Sequence, residues 1–493
     1  MLRRGRFERA MDPLASEYIS SMEADSRIFY SVVQINLAHT IMLAERRIIE
    51  GSDAAAILQA LYKLHEHGVS GLDLRPELED IYMAVEDFVT KETSEEVGGK
   101  FNTAKSRNDQ VTTAIRLTLR KNLLDVEEKL LELVNALIAL SEKNTDTIMP
   151  GYTHLQVAQP TTFAHHLAAH TFAFLRDVER IEQAYDVTNS CPMGACALAG
   201  TSFPIDRVRV AHMLGFKHID ENSMDAVSSR DFALQAMSAL AIAMANLSRL
   251  AEELVLWSSA EFNLIELPEE FAATSSIMPQ KKNPVVGELA RAKAGRVFGN
   301  LSGALAMVKA LPQSYNLDLQ DLTPSLWNSV DEVRNCAEVM ARLISAVEPN
   351  RELMRKRAEG GFAAATELAD VLVRKAGMAF RDAHAVVGRM IARATKDGRS
   401  SEELNIEDLR AASKEVLNKE VNLTPEELKG ALDLDKCIVA RALPGGPAPK
   451  AVKNQLKLLK REAKYRAKLT RTRRRAITKA ELKLLKDAKR RSR

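Results

Sequence analysis

Two stretches without glycine or proline limit the folds open to this chain. The first begins at Val111 and runs until Pro150, and the second lies between Phe216 and Leu267. Within the first, Ile115, Leu119, Val126, Leu130, Val134 and Leu137 recur at three-, four- and seven-residue intervals. That spacing writes an apolar stripe on one long amphipathic helix. The second stretch allows another very long helix, and a third is expected from Val285 to about Leu311. Gly295, Gly299 and Gly303 stand four apart in the third and fall on one face. Each would cost about 1 kcal/mol in an isolated helix, but together they admit the close approach of another helix. Three long striped helices cannot all cover themselves in one thin layer, so bundling and self-association are expected. No alternating strand pattern persists and no nucleotide-type glycine loop occurs, so the fold class is all-α.

The length of 493 residues allows a large core and two to four domains, and 46% hydrophobic with 27% charged residues is ordinary for a globular protein. No run approaches the eighteen or so apolar residues that span a bilayer. The start, Met1-Leu2-Arg3-Arg4-Gly5-Arg6, is basic without an apolar segment behind it, so a signal peptide is not expected and cytosolic residence is. Cys191, Cys196, Cys336 and Cys437 have no metal-ligand spacing and read as reduced, buried thiols. His166 and His170 share a helix face but show no carboxylate partner in the sequence, so no metal site is expected.

Three polar stretches stand out. Ala273-Thr274-Ser275-Ser276-Ile277-Met278-Pro279-Gln280-Lys281-Lys282-Asn283-Pro284 packs three hydroxyls, two lysines and two amides between helix-like segments, closed by two prolines. It is either a solvated connector or a loop with an anionic partner. Asn102 to Gln110 feeds small and polar residues into the Val111 helix, where Ser106 and Asn108 suit capping as well as anion binding. Gly151-Tyr152-Thr153-His154-Leu155-Gln156 places His154 in a loop bounded by Gly and Pro rather than on an apolar stripe. Nothing local marks Ser21 or Asp25, in the first helical hairpin, as more than capping residues. Ser52, Ser400-Ser401-Glu402-Glu403 and Thr424-Pro425-Glu426-Glu427 read as helix starts.

The run from Ser275 to Pro284 resembles the signature loop of the fumarase/aspartase superfamily, whose members release fumarate by elimination; Thr274 stands where that family usually has glycine. Ser106 to Gln110, Gly151 to Gln156, Gly200 to Arg207, Asn222 to Ala226 and Ser314 to Gln320 resemble the argininosuccinate lyase branch, from about Tyr18 to Pro449. The resemblance implies cleavage of argininosuccinate to arginine and fumarate, the last step of arginine synthesis, without a cofactor. It implies three helical domains, a homotetramer built on the central bundle, and active sites assembled from loops of three subunits. Ser275 is then the base, Lys281 and Asn283 hold the aci-carboxylate, and His154, oriented by Glu288, serves the leaving nitrogen. Which of Ser275 and His154 gives and which takes the proton stays open. Thr153, Ser106 and Asn108 would bind the fumarate half, with Arg107 nearby, and Ser21, Asp25, Tyr315 and Gln320 the arginine half. Asn102 replaces a usual His and Thr323 a frequent Lys, so Lys281 and Arg107 are expected to carry more of the anion binding. The alternatives are a sister lyase of adenylosuccinate lyase or aspartase type, and a catalytically silent structural homologue.

The chain divides on these signs into an N-terminal helical part (1–104), a central long-helix bundle (105–353), a small helical part (354–449) and a basic tail (450–493). The tail holds nineteen Lys and Arg against three acidic residues, so the body before it is acidic. A solvated or subunit-contacting tail is the favoured reading, with weak nucleic-acid binding the rival. Thr478-Lys479-Ala480-Glu481 has capping-box spacing for a short terminal helix.

Overall fold

The computed structural model describes residue 9 and residues 11–493, so the basic start Met1 to Arg6 lies outside the described residues. Helices α1 (Phe29–Glu45) and α2 (Gly51–His67) precede the first long helix, α3 (Arg107–Glu142). A hairpin of β1 (Ile148–Thr153) and β2 (Gln156–Thr162) leads into α4 (Phe163–Thr188), followed by α5 (Asp231–Ser258). Strands β3 (Ala273–Thr274) and β4 (Lys282–Asn283) introduce α6 (Val285–Val308) and α7 (Asp318–Ala346). The shorter α8 (Ala365–Ala376), α9 (Phe380–Lys396), α10 (Ile406–Leu417) and α11 (Pro425–Leu432) come next, and α12 (Pro449–Arg491) closes the chain.

The stripe predicted on α3 is realised: Ile115, Leu119, Val126, Leu130, Val134 and Leu137 are all buried. Around α3 pack α4 and α7, with α5 against α4, α6 and α7. One large core runs through these helices and on into α1, α2 and α12. A second core, with Leu368, Leu372, Val386, Met390, Leu409 and Leu428, holds α8 to α11 together.

Four local expectations are corrected. The run after Phe216 is not one helix, because its early part is rich in side chains that compete with helical hydrogen bonds. The Asn222 carboxamide accepts from the Met224 and Asp225 amides, starting a six-residue helix at Ser223, and α5 begins only at Asp231. Ser52 lies inside the first turn of α2, whose N-cap Glu50 makes no side-chain cap. Gly151 to Gln156, taken for a loop, belongs to the β1–β2 hairpin, whose register shifts between Pro150 and Tyr152. Gly151 is needed there, since a Cβ would lie 2.7 Å from the Gln159 carbonyl oxygen. Cys196 is half-buried, unlike the other three thiols, although all four cysteines are free.

The tail departs furthest from expectation. It is neither solvated nor a short helix but the 43-residue α12, laid against α3, α4, α1 and α2. Val452, Leu456, Leu459, Ala463, Thr470, Ile477, Leu484 and Ala488 are buried along it at helical spacing. Among the described residues, five of its nineteen cations pair with acidic residues of the body: Lys460 with Glu142, Arg466 with Glu182, Arg473 with Asp186, Arg474 with Asp125 and Glu128, and Arg491 with Glu45. Thr478 starts no helix, and Glu481 instead pairs with Lys121 and accepts from Gln34. The acidic body and the basic tail neutralise one another within one fold.

Candidate active site

The loop from Thr274 to Asn283 is closed at its base by the β3–β4 pairing of Ala273 with Asn283 and of Thr274 with Lys282. This short ladder fixes the ends while leaving the tip exposed. The Ser275 hydroxyl oxygen accepts from the backbone N–H groups of Ile277, at 3.2 Å, and Met278, at 3.1 Å. Two amide dipoles aimed at one oxygen favour its deprotonated form. Lys282 is engaged by Glu266, whereas Lys281 is exposed and has no ion pair among the described residues. Glu288 stands exposed in the first turn of α6.

Thr153 and His154 lie at the tip of the β1–β2 hairpin. His154 and Leu155 both have positive φ, 56° and 58°, as a two-residue turn of the hairpin type requires. Thr153, His154 and Leu155 are exposed, and no hydrogen bond of the His154 ring is formed among the described residues. The hairpin therefore carries an imidazole outward on a fixed stem.

A third group comes together where the chain start, α3 and α7 meet. One small cavity is lined by Ser21, Asp25, Asp80, Tyr82, Arg107, Tyr315, Gln320 and Thr323. A larger one, about 830 Å³, shares Ser21, Asp25, Gln320 and Thr323. The Ser21 hydroxyl donates to Asp25 at 2.6 Å, and the Gln320 amide donates to the Ile19 carbonyl at 2.9 Å. Burial pushes the Asp25 carboxyl up to about 6; the Ser21 hydrogen bond opposes this, Asp80 adds to it and Arg107 opposes it. Burial likewise raises the Tyr315 phenol. Thr323, standing where the resemblance suggests a lysine, is buried in the same wall.

Arg107 is engaged by acidic neighbours. Its guanidinium donates to Glu79 and to Asp80, each at 2.6 Å, so its charge is already matched within the chain. Glu79 holds the junction in another way: at φ 62° its carbonyl accepts from the Ser21 amide at 3.0 Å. Sequence reading missed Glu79, Asp80 and Tyr82, which carry no motif. Of the three only Glu79 carries a conformational signal, its positive φ, as Ala104 and Ser314 do beside other candidate residues. Ser106 caps α3 and forms a capping box with Asp109, and Asn108 donates to the Ala197 carbonyl at 3.0 Å.

The candidate residues thus occupy three places: the Ser275 loop with α6, the His154 tip, and the Asp25 cavity with the start of α3. No hydrogen bond or ion pair among the described residues joins one place to another. A further correction concerns His166 and His170. The carboxylate absent from their stretch of sequence comes from α5, where one Glu253 oxygen lies 2.7 Å from each Nε2.

The comparisons with known proteins agree with one another. A family described as Lyase matches residues 5–299, and one described as Argininosuccinate lyase C-terminal matches residues 362–439. The argininosuccinate lyase of Methanosarcina mazei is 45% identical over 470 residues, covering 95% of this chain and 94% of that protein. That of Methanothermobacter thermautotrophicus is 44% identical over 452 residues, covering 92% and 96%. Among solved structures, an EDDS lyase variant with bound fumarate aligns with a TM-score of 0.89 at 29% identity, covering 99% of this chain and 97% of that one. A class II fumarase from Schistosoma mansoni aligns with a TM-score of 0.70 at 19% identity, over 83% and 90%, a likeness of fold alone.

Proposed function

This chain belongs to the argininosuccinate lyase family, and from that premise we propose that it splits argininosuccinate into arginine and fumarate with Ser275 as the base. Elimination removes a proton from the carbon beside a carboxylate and expels a guanidino nitrogen. The hard point is the doubly charged aci-carboxylate formed on the way. It needs preorganised donors and cations, each worth about 3 kcal/mol in the transition state. The observation that carries the reading is the Ser275 oxygen receiving two backbone N–H groups in a loop whose Lys281 has no ion pair among the described residues. The hydroxyl is prepared to lose its proton, while Lys281 and Asn283 are at hand for the carboxylate.

His154 then protonates the leaving nitrogen, directly or through water, with Glu288 holding the imidazole. Asp25, with Ser21, Tyr315 and Gln320, receives the arginine half. Ser106, Asn108 and Thr153 hold the fumarate half. Arg107 takes a positioning role, fixing Glu79 and Asp80 beside Asp25.

Because no hydrogen bond or ion pair among the described residues joins the three places, we assign the complete site to a homotetramer in which different subunits supply the Ser275 loop, the His154 tip and the Asp25 cavity. Support comes from α6. An added Cβ at Gly295, Gly299 or Gly303 would meet nothing within 4 Å, and Leu289, Phe298 and Leu305 of the same helix are 44–58% exposed. Among the described residues, no helix packs on the glycine face expected to receive one. Cytoplasmic residence and a place in arginine biosynthesis accompany this reading.

The test is fumarate release from argininosuccinate, followed by ultraviolet absorbance. Ser275→Ala should lower kcat by about 10²–10⁴-fold, the usual contribution of a positioned proton-transfer group. Release from adenylosuccinate or aspartate instead would move the substrate to a sister lyase, and silence with all three would favour a structural role.

A further inference from the structure

The cluster of His166, His170 and Glu253 has no part in the elimination. His166 and His170 stand one turn apart on α4, and Glu253 reaches them from α5. Both imidazole Nε2 atoms lie 2.7 Å from the same carboxylate oxygen, Oε2. Taken as potential ligands, the three groups offer atoms within 4.8 Å of one another. The ordinary account is a pair of hydrogen bonds tying two helices together. Two features go beyond it. Two nitrogens and one oxygen from two packed helices converge on one point, and imidazole with carboxylate is a donor set suited to zinc. Tetrahedral bonds of about 2.1 Å place ligand atoms roughly 3.4 Å apart, so each of the two observed nitrogen–oxygen contacts has to lengthen by only about 0.7 Å to admit the ion.

We propose that His166, His170 and Glu253 form a binding site for a divalent zinc-like ion, separate from the elimination chemistry, that clamps α4 to α5 beneath the β1–β2 hairpin. His166 and Glu253 line a cavity of about 370 Å³ that Tyr152 and Thr153 of the hairpin also line. A water or small anion reaching that cavity completes the coordination at the fourth position. The ring of Trp257 packs edge-on against His166, with centroids 4.9 Å apart. One of only two tryptophans in the chain therefore reports on the site.

The experiment uses the purified full-length protein, stripped with a chelator and titrated with zinc chloride. Tryptophan emission is followed, and bound zinc is measured after desalting. One zinc per chain is expected, with a rise in melting temperature that grows with zinc concentration. His170→Ala and Glu253→Gln should each weaken binding by at least about 100-fold, more than loss of an outer-shell partner. Failure to retain zinc at micromolar concentration overturns the proposal, as does equal retention by the His166→Ala/His170→Ala double variant. Cobalt provides a reading that needs no variant: bands of tetrahedral nitrogen and oxygen ligation are expected, and a thiolate charge-transfer band would move the site to a cysteine. Fumarate release by the zinc-free protein is expected to continue, so failure here is distinct from failure of the lyase reading.

Discussion

Asp25 is the candidate residue whose environment makes the most specific demand. Burial, helped by Asp80 and opposed by Ser21 and Arg107, lifts its carboxyl from 3.8 to about 6. A raised carboxyl favours the fold while protonated, so that stabilisation is full below the unfolded value and is lost as pH rises through about 6. Binding runs the other way, because a cationic guanidinium needs the anion. KM for argininosuccinate should therefore fall as pH rises through about 6, while Asp25→Asn should raise KM and flatten that profile. A wild-type KM unchanged across this range would remove Asp25 from the arginine half. At Ser275 the determinant is backbone: the Ile277 and Met278 amides reach its oxygen because the turn, not a neighbouring side chain, aims them.

Among the elements, α12 shows how composition conceals packing. Lys and Arg dominate its sequence, yet a buried stripe from Val452 to Ala488 makes it part of the main core. Adjacent leucines separate the two accounts of this segment. Leu459 is fully buried and Leu458 is 44% exposed. Leu459→Ala should cost about 2–5 kcal/mol, the range for deleting a buried leucine, seen as a lower urea midpoint. Leu458→Ala should stay within about 0.5 kcal/mol of wild type. Equal small effects from both would restore the solvated tail. The hairpin makes a related point, since Pro150, Gly151 and Pro160 interrupt the strand pattern while a ladder still forms around them.

At the scale of the whole molecule, the question is what covers α6. Gly299→Leu should not harm the isolated fold, because nothing lies within 4 Å of the added Cβ and leucine favours a helix over glycine by almost 1 kcal/mol. Against a second copy of the chain, the same side chain would meet a helix. The expected outcome is a loss of mass by light scattering together with a loss of fumarate release, with the separated chain still folded by circular dichroism. A variant that keeps both the wild-type mass and full activity would refute the shared-site assembly.

The sequence by itself determined the long helices, their striped faces and the all-α class, because apolar periodicity and the absence of glycine and proline act locally along the chain. It also held the signature loop, since Ser275, Lys281 and Asn283 lie within nine residues of one another. Only the tertiary structure decided that Arg107 is matched by Glu79 and Asp80, that Glu253 meets His166 and His170, and that the basic tail is a core helix. Each of these depends on partners brought in from elsewhere in the chain. Glu253 lies 87 and 83 residues from its two histidines, and Arg466 lies 284 residues from Glu182. Charge pairing and ligand convergence over such separations leave no periodic trace, because what selects them is the packing of helices and not the order of residues along any one of them.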